Sequence, residues 1–143
     1  MAAELSLDVP RTSSGPSVAR RVLAGRFGEE LSPEQLADVS MVVSELTTNA
    51  LLYGEGQIRL RVGADEDRVY GEVIDEGAGF ATELAERDLA AVGGQGLLIV
   101  AALSDRWGVH EGSSHIWFEI ARGGDREPVE PEVGPQERPP ELD

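Results

Sequence analysis

The sequence of 143 residues contains no cysteine. Disulfides and thiolate-ligated metal sites are therefore excluded, and this absence fits a reducing compartment. No run of about 18 apolar residues is present, so we predict no membrane-spanning helix. The N-terminal stretch MAAELSLDVPRTSSG lacks the basic-then-apolar order of a signal peptide. We therefore expect a cytoplasmic protein.

Basic residues are also scarce, with 12 Lys and Arg against 27 Asp and Glu, which gives a formal net charge of −15. Such a surface repels nucleic-acid phosphates, so we expect no direct binding of nucleic acid. The charge suits a basic protein partner, or serves solubility alone.

Hydrophobic residues make up 41% of the 15.3 kDa chain, which is enough for one domain with a core. The last stretch, RGGDREPVEPEVGPQERPPELD, is instead rich in Pro, Gly and Glu and has few apolar residues to bury. We predict one domain over residues 1–121, with its core at 15–121, and a disordered acidic tail over 122–143.

The hydrophobic periodicity predicts the order strand, helix, helix, strand, strand, lid, helix, strand, strand. Leu5, Leu7 and Val9 alternate in the first strand. In the first helix, SVARRVLAGRF, we expect the apolar residues to face the core; these are Val18, Val22, Leu23 and Phe27.

The clearest helix is SPEQLADVSMVVSELTTNALLYG. Ser32 and Gln35 form a capping box around Pro33, and Gly54 ends the helix as a residue just past its C-terminus. Its predicted core stripe is Leu36, Val39, Val43, Leu46 and Ala50.

Two hairpins follow this helix. GQIRLRV and RVYGEVID pair through the turn ADED, and the second hairpin turns at residues 111–114, after the short apolar helix LLIVAAL. Strands follow one another along the chain, and we expect the helices to cover one face of their sheet. This pattern predicts an α+β two-layer sandwich.

Polar residues on the long helix form a first candidate site. Glu45 and Asn49 are four residues apart and share a face at the edge of the core stripe. Asn49 could give an oxygen to Mg²⁺, and Glu45 could accept a proton from an attacking hydroxyl. Alone, such a pair is more typical of a solvated helix face.

Two glycine-rich segments form further candidates. In VIDEGAGF, Asp75 follows a strand, and Gly77 and Gly79 would let a flat base approach the backbone. In GGQGLLIV, Gly94 and Gly96 precede a helix whose N-terminal N–H groups could hold phosphate. Each segment alone is also typical of an ordinary turn or loop.

Taken in order, these segments resemble the three boxes of the GHKL (Bergerat-fold) ATP-binding superfamily. SELTTNALLYG resembles the N box, DEGAGF the G1 box and GGQGLLIV the G2 box. The resemblance covers about residues 15–121. It implies a mixed, mostly antiparallel sheet with helices on one face. Within the superfamily, VVSELTTNAL, ALSDRWGV and HIWFEI are similar to stand-alone bacterial anti-sigma-factor serine kinases.

The resemblance implies a role for each matching residue. Asn49 would coordinate Mg²⁺, Glu45 would be the general base, and Asp75 would hold the adenine amine. Glycines would shape the adenine floor and, with one leucine, the phosphate hinge of the lid; these are Gly77, Gly79, Gly94, Gly96 and Leu97.

Two departures from the family pattern bear on catalysis. Tyr53 stands where relatives often have His, and Ser114-His115 stand where close relatives often have Lys-Thr. The Thr commonly helps to hold adenine, so that contact differs here. Arg87 is the only basic residue of the predicted lid.

The resemblance implies an ATP- and Mg²⁺-dependent protein serine/threonine kinase. It would phosphorylate a serine of an antagonist protein, sequester a sigma factor and form a homodimer. A second reading is an ATP-gated interaction module without kinase activity. A third is a structural module that binds no nucleotide. His110 and His115 are expected to be ordinary strand residues, which argues against a sensor histidine kinase.

Overall fold

The computed structural model describes residues 3–77, 95–110 and 115–122. Most of the predicted lid, the turn of the second hairpin and residues 123–143 of the acidic tail lie outside the described residues. Arg122, the first residue of that predicted tail, is described, and its N–H donates to the Asp67 carbonyl at 2.8 Å. Eight helices and strands are described within them. In chain order they are β1 (Ala3–Val9), α1 (Gly15–Phe27), α2 (Pro33–Tyr53), β2 (Ile58–Ala64), β3 (Arg68–Ile74), α3 (Gln95–Leu103), β4 (Arg106–His110) and β5 (His115–Ala121).

The five strands form one sheet in the order β1-β2-β3-β5-β4, and all four pairings are antiparallel. The α+β class and both hairpins are confirmed. Strands neighbouring in sequence are not always neighbours in the sheet, however, because β5 rather than β4 pairs with β3, through Val73 opposite Ile116. That arrangement places β4 at the edge.

Alternate strand positions pack with the helices in one apolar core, which includes Leu60, Val73 and Phe118. The opposite face of the sheet carries charged groups. There Glu72 is buried, with Arg61 Nη1 3.2 Å from its Oε2 and His115 Nε2 in contact with its Oε1. His115 is thus a strand residue, as predicted, and its side chain contacts Glu72 on the sheet face opposite the helices.

Helix α1 buries a straight row of residues spaced by four. Val18 and Val22, expected in the core, are only half-buried, because the row that faces α2 and β1 lies one position further along. The buried residues are Gly15, Ala19, Leu23 and Phe27.

Helix α2 begins as predicted. The Ser32 side chain accepts a hydrogen bond from the Gln35 N–H at 3.1 Å, and the Gln35 side chain accepts one from the Ser32 N–H at 3.0 Å. Of the predicted core stripe, all members are buried except Leu36, which is partly buried. Among the described residues, no helix combines the length and apolarity needed to cross a bilayer.

Candidate functional site

The C-terminal end of α2 meets the C-terminal end of β3, and Asp75 lies at this junction. Its carboxylate Oδ1 accepts the backbone N–H of Gly77 at 2.6 Å and that of Glu55 at 3.4 Å. The Glu76 N–H also donates to the Glu55 carbonyl at 2.8 Å. The predicted N-box and G1-box segments are therefore joined directly, although they are some twenty residues apart in the chain.

Gly54 makes this junction possible. A Cβ at this position would lie 2.1 Å from Asp75 Oδ2 and 2.7 Å from the Ala50 carbonyl oxygen. Gly54 was predicted to end α2, and it does, with its N–H donating to Ala50. Its backbone is extended rather than left-handed, and the positive φ of 67° occurs at Gly56 instead. The glycine is required here for close approach, not for its dihedral angles.

The second carboxylate oxygen of Asp75 is buried and has no hydrogen-bond partner. The residue is 7% exposed. A buried acceptor without a partner costs free energy, and a native structure retains one mainly where a ligand, ion or water completes it. The missing partner must be a donor, such as an exocyclic amine.

Asn49 also has a buried polar atom without a partner near this end of α2. It is 4% exposed, and its Nδ2 is buried without a partner. Asn49 faces the core edge one turn before the junction, and Glu45, one turn earlier still, is half-buried. The side-chain carbonyl of Asn49 and the carboxylate of Glu45 have the chemistry to hold Mg²⁺ and to accept a proton.

The structure describes only part of the predicted site. Gly77 is described at the junction, whereas Gly79 and Gly94 lie outside the described residues. Gly96 and Leu97 lie in the first turn of α3, where the backbone but not the side chains is described. Among the described residues, no three His, Asp or Glu side chains cluster as metal ligands would.

Sequence reasoning missed Arg11, which fixes the end of α2. Its Nη1 donates to the Leu51 carbonyl at 3.0 Å and its Nε to the Gly56 carbonyl at 2.6 Å. Carbonyls at a helix C-terminus need donors, and α2 has no basic residue in its last turn. That shortage was the available signal, although it could not identify which arginine would supply the donors.

Asp75 also borders a cavity of about 250 Å³, together with Gln57, Arg59, Ile74 and Glu76. A larger cavity, of about 540 Å³, lies beside Arg59 and Arg61 and contains none of the predicted site residues. We place the candidate site at Asp75 despite its smaller cavity, because Asp75 and the nearby Asn49 each have a buried polar atom without a partner.

The domain is similar to known proteins over most of its length. The profile of the histidine kinase-like ATPase domain matches residues 14–120. Anti-sigma F factor of Bacillus subtilis is 34% identical over 90 residues, covering 58% of this chain and 60% of the relative. Anti-sigma F factor of a Thermoanaerobacter species is 35% identical over 82 residues, 53% of this chain and 57% of the relative. The chain spans about 60% of the length of the curated relatives it matches.

Proposed function

Since the chain belongs to the histidine kinase-like ATPase domain family, which implies ATP binding, we propose that it is an ATP- and Mg²⁺-dependent protein serine/threonine kinase of the anti-sigma type. The observation that carries the proposal is the buried, unpartnered Oδ2 of Asp75 at the junction of α2 and β3. The adenine amine supplies the donor that this oxygen lacks, and the orphaned Asn49 amide lies on the adjoining turn of α2.

The remaining contacts are those that the resemblance to the three GHKL boxes implies. Asn49 would hold Mg²⁺ through its side-chain carbonyl oxygen. Gly77 and Gly79 form the adenine floor, where the absence of a Cβ allows the base to approach. Gly94, Gly96 and Leu97 bind phosphate through backbone N–H groups, and of these Gly96 and Leu97 lie in the first turn of α3.

In the chemical step, a substrate serine Oγ attacks the γ-phosphorus of ATP in line. The new Oγ–P bond forms as the bond to the β-phosphate oxygen breaks, and ADP leaves. The Oγ proton passes to the Glu45 carboxylate. Mg²⁺, when bound, offsets the phosphate charge.

The partners follow from the relatives, whose names describe factors that oppose a sigma factor. We propose that this chain sequesters a sigma factor, that an antagonist protein carries the phosphorylated serine, and that the chain acts as a cytoplasmic homodimer. We assign these activities to the domain of residues 1–121.

Transfer of labelled γ-phosphate to purified antagonist candidates from the same organism tests the kinase reaction. Glu45→Gln should reduce transfer by at least about a hundredfold, because general-base catalysis contributes on that scale, while ATP affinity stays unchanged. Glu29→Gln, which removes an exposed carboxylate outside α2, is the control and should transfer normally. Equal transfer by Glu45→Gln and the unmodified protein would contradict the role of Glu45.

A second candidate function is an ATP-gated interaction module without kinase activity. The observation that favours it is the contact of His115 Nε2 with Glu72 Oε1 on the sheet face opposite the helices. By the family resemblance, His115 stands where close relatives often have a Thr that commonly helps to hold adenine, so this chain uses that position differently. Normal ATP binding without label transfer to any antagonist candidate would select this function.

A further inference from the structure

Acidic and apolar side chains, with one threonine, form a row along the surface of helix α2 beside the proposed site. Its positions are separated by alternating steps of four and three residues, so they follow one line along the helix. We call this row the acidic-apolar stripe. It consists of Glu34, Asp38, Met41, Glu45, Thr48 and Leu52.

The apolar members of the stripe are unusually open to solvent. Met41 is 48% exposed and Leu52 is 63% exposed, and these are two of the four large apolar side chains exposed in the described part of the chain. Thr48, between Glu45 and Leu52, is half-buried. Neither Met41 nor Leu52 belongs to the core cluster, so the packing of this domain does not account for them.

All the charges of α2 have one sign. Glu34, Asp38 and Glu45 lie in the stripe, and the helix contains no Lys or Arg. Arg20 of α1 reaches α2 by donating to Ser44 Oγ at 2.7 Å. Ser44 precedes Glu45 and is rotated about 100° from it, so this cation lies beside the stripe rather than in it.

The stripe also runs past the proposed chemistry. Glu45 is a member of it, and Asn49 lies about 40° further round the helix towards the core. Any segment that covers the stripe therefore passes directly over the general base. From Glu34 to Leu52 the stripe is about 27 Å long, which matches a helical segment of about 18 residues.

We propose that the acidic-apolar stripe is the docking surface for a basic amphipathic segment of the protein substrate, with the acceptor hydroxyl close to Glu45. This inference rests on the proposed kinase function. Apolar side chains of the segment cover Met41 and Leu52, and its Lys or Arg side chains are attracted by the negative charge at Glu34 and Asp38. The net charge of −15 attracts such a segment and repels an acidic one.

Fluorescence anisotropy with two labelled peptides tests the docking surface without nucleotide. Both are 18-residue amphipathic peptides with Leu on one face and a central Ser; one has Lys and Arg beside that face and the other has Glu. We expect the basic peptide to bind at least about tenfold more tightly. Glu34→Gln/Asp38→Asn should weaken its binding about fivefold, and Leu52→Gln about threefold to tenfold.

Matched controls separate this surface from general attraction to an acidic protein. Glu29→Gln/Glu66→Gln removes the same charge from exposed positions outside α2, and Leu98→Gln removes an exposed leucine from α3. Both should leave binding within about twofold of the unmodified protein. If the controls weaken binding as much as the stripe variants, or if both peptides bind equally, the docking surface is wrong.

Adding Mg²⁺ and ATP then distinguishes the two proposals. Stripe-dependent binding followed by phosphorylation of the central Ser supports both. Stripe-dependent binding without phosphorylation upholds the docking surface and counts against the kinase reaction. Phosphorylation that the stripe variants leave unchanged upholds the kinase and overturns the docking surface.

Discussion

At the scale of single residues, the site depends on a glycine whose role is steric. Gly54 lets Asp75 approach the end of α2, where a Cβ would lie 2.1 Å from Oδ2. Asp75 in turn is held by the N–H groups of Glu55 and Gly77, so its free oxygen has a defined direction. Displacing the carboxylate would therefore disturb both the junction and the proposed adenine contact.

Gly54→Ala should lower the free energy of unfolding by about 2 kcal/mol, because the added methyl group overlaps Asp75 and the Ala50 carbonyl. ATP affinity should fall with it. Gly25→Ala is the matched control: a Cβ there meets nothing within 4 Å, and Ala favours the helix interior by about 0.5–1 kcal/mol. Urea unfolding checks both, and a neutral Gly54→Ala would show that Asp75 does not depend on this close approach.

At the scale of elements, the turn between β2 and β3 is closed by Asp65. Its Oδ1 accepts the N–H of Asp67 at 2.8 Å and that of Arg68 at 3.0 Å. These hydrogen bonds, the one from Asp67 foremost, lower the pKa of Asp65 below its ordinary value of 3.8. Burial opposes this effect, and the nearby Arg68 and Arg122 add to it.

Asp65→Ala should reduce stability by about 1 kcal/mol at neutral pH, since it removes both hydrogen bonds. A lowered pKa means that the charged form favours the folded state. The stabilisation that the charged Asp65 carboxylate gives is therefore complete above pH 3.8. It is lost as the pH falls through the lower pKa that this group has in the folded protein. Urea titrations of both proteins across this range check it. A stability difference that grows on acidification would contradict the assignment.

Local chemistry made most elements predictable. The capping box of α2 and the alternation of β2 and β3 depend only on residues close together in the sequence, and the structure confirms them. The pairing of β3 with β5 could not be predicted, because it depends on contacts across more than forty residues. The burial of Ala19 rather than Val18 likewise depends on where α2 and β1 lie against α1.

The site was predictable to a similar degree. Asp75 and Asn49 were identified from their motifs, and the structure shows both buried with an unpartnered atom. The anchoring of α2 by Arg11 and the steric role of Gly54 depend on residues that are distant in the sequence and close in the fold, so no sequence motif predicts them. The roles of Gly79 and Gly94 remain predictions, since they lie outside the described residues.

At the scale of the whole molecule, the sheet separates two kinds of surface. The helical side buries the apolar core and carries the Asp75 junction and the acidic-apolar stripe. The opposite side holds Glu72 between Arg61 and His115. Glu45 and Asn49, to which the proposed chemistry is assigned, lie on the same helix as the acidic-apolar stripe.

The most direct test of the nucleotide site is calorimetric titration with ATP, with and without Mg²⁺. The unmodified protein should bind ATP more tightly with Mg²⁺. Asp75→Asn should weaken binding by roughly tenfold to a hundredfold, because a charged hydrogen bond to the adenine amine is lost. Asn49→Ala should instead remove the effect of Mg²⁺. If the unmodified protein takes up no ATP at millimolar concentration, or if Asp75→Asn binds as well as the unmodified protein, Asp75 is not the adenine contact.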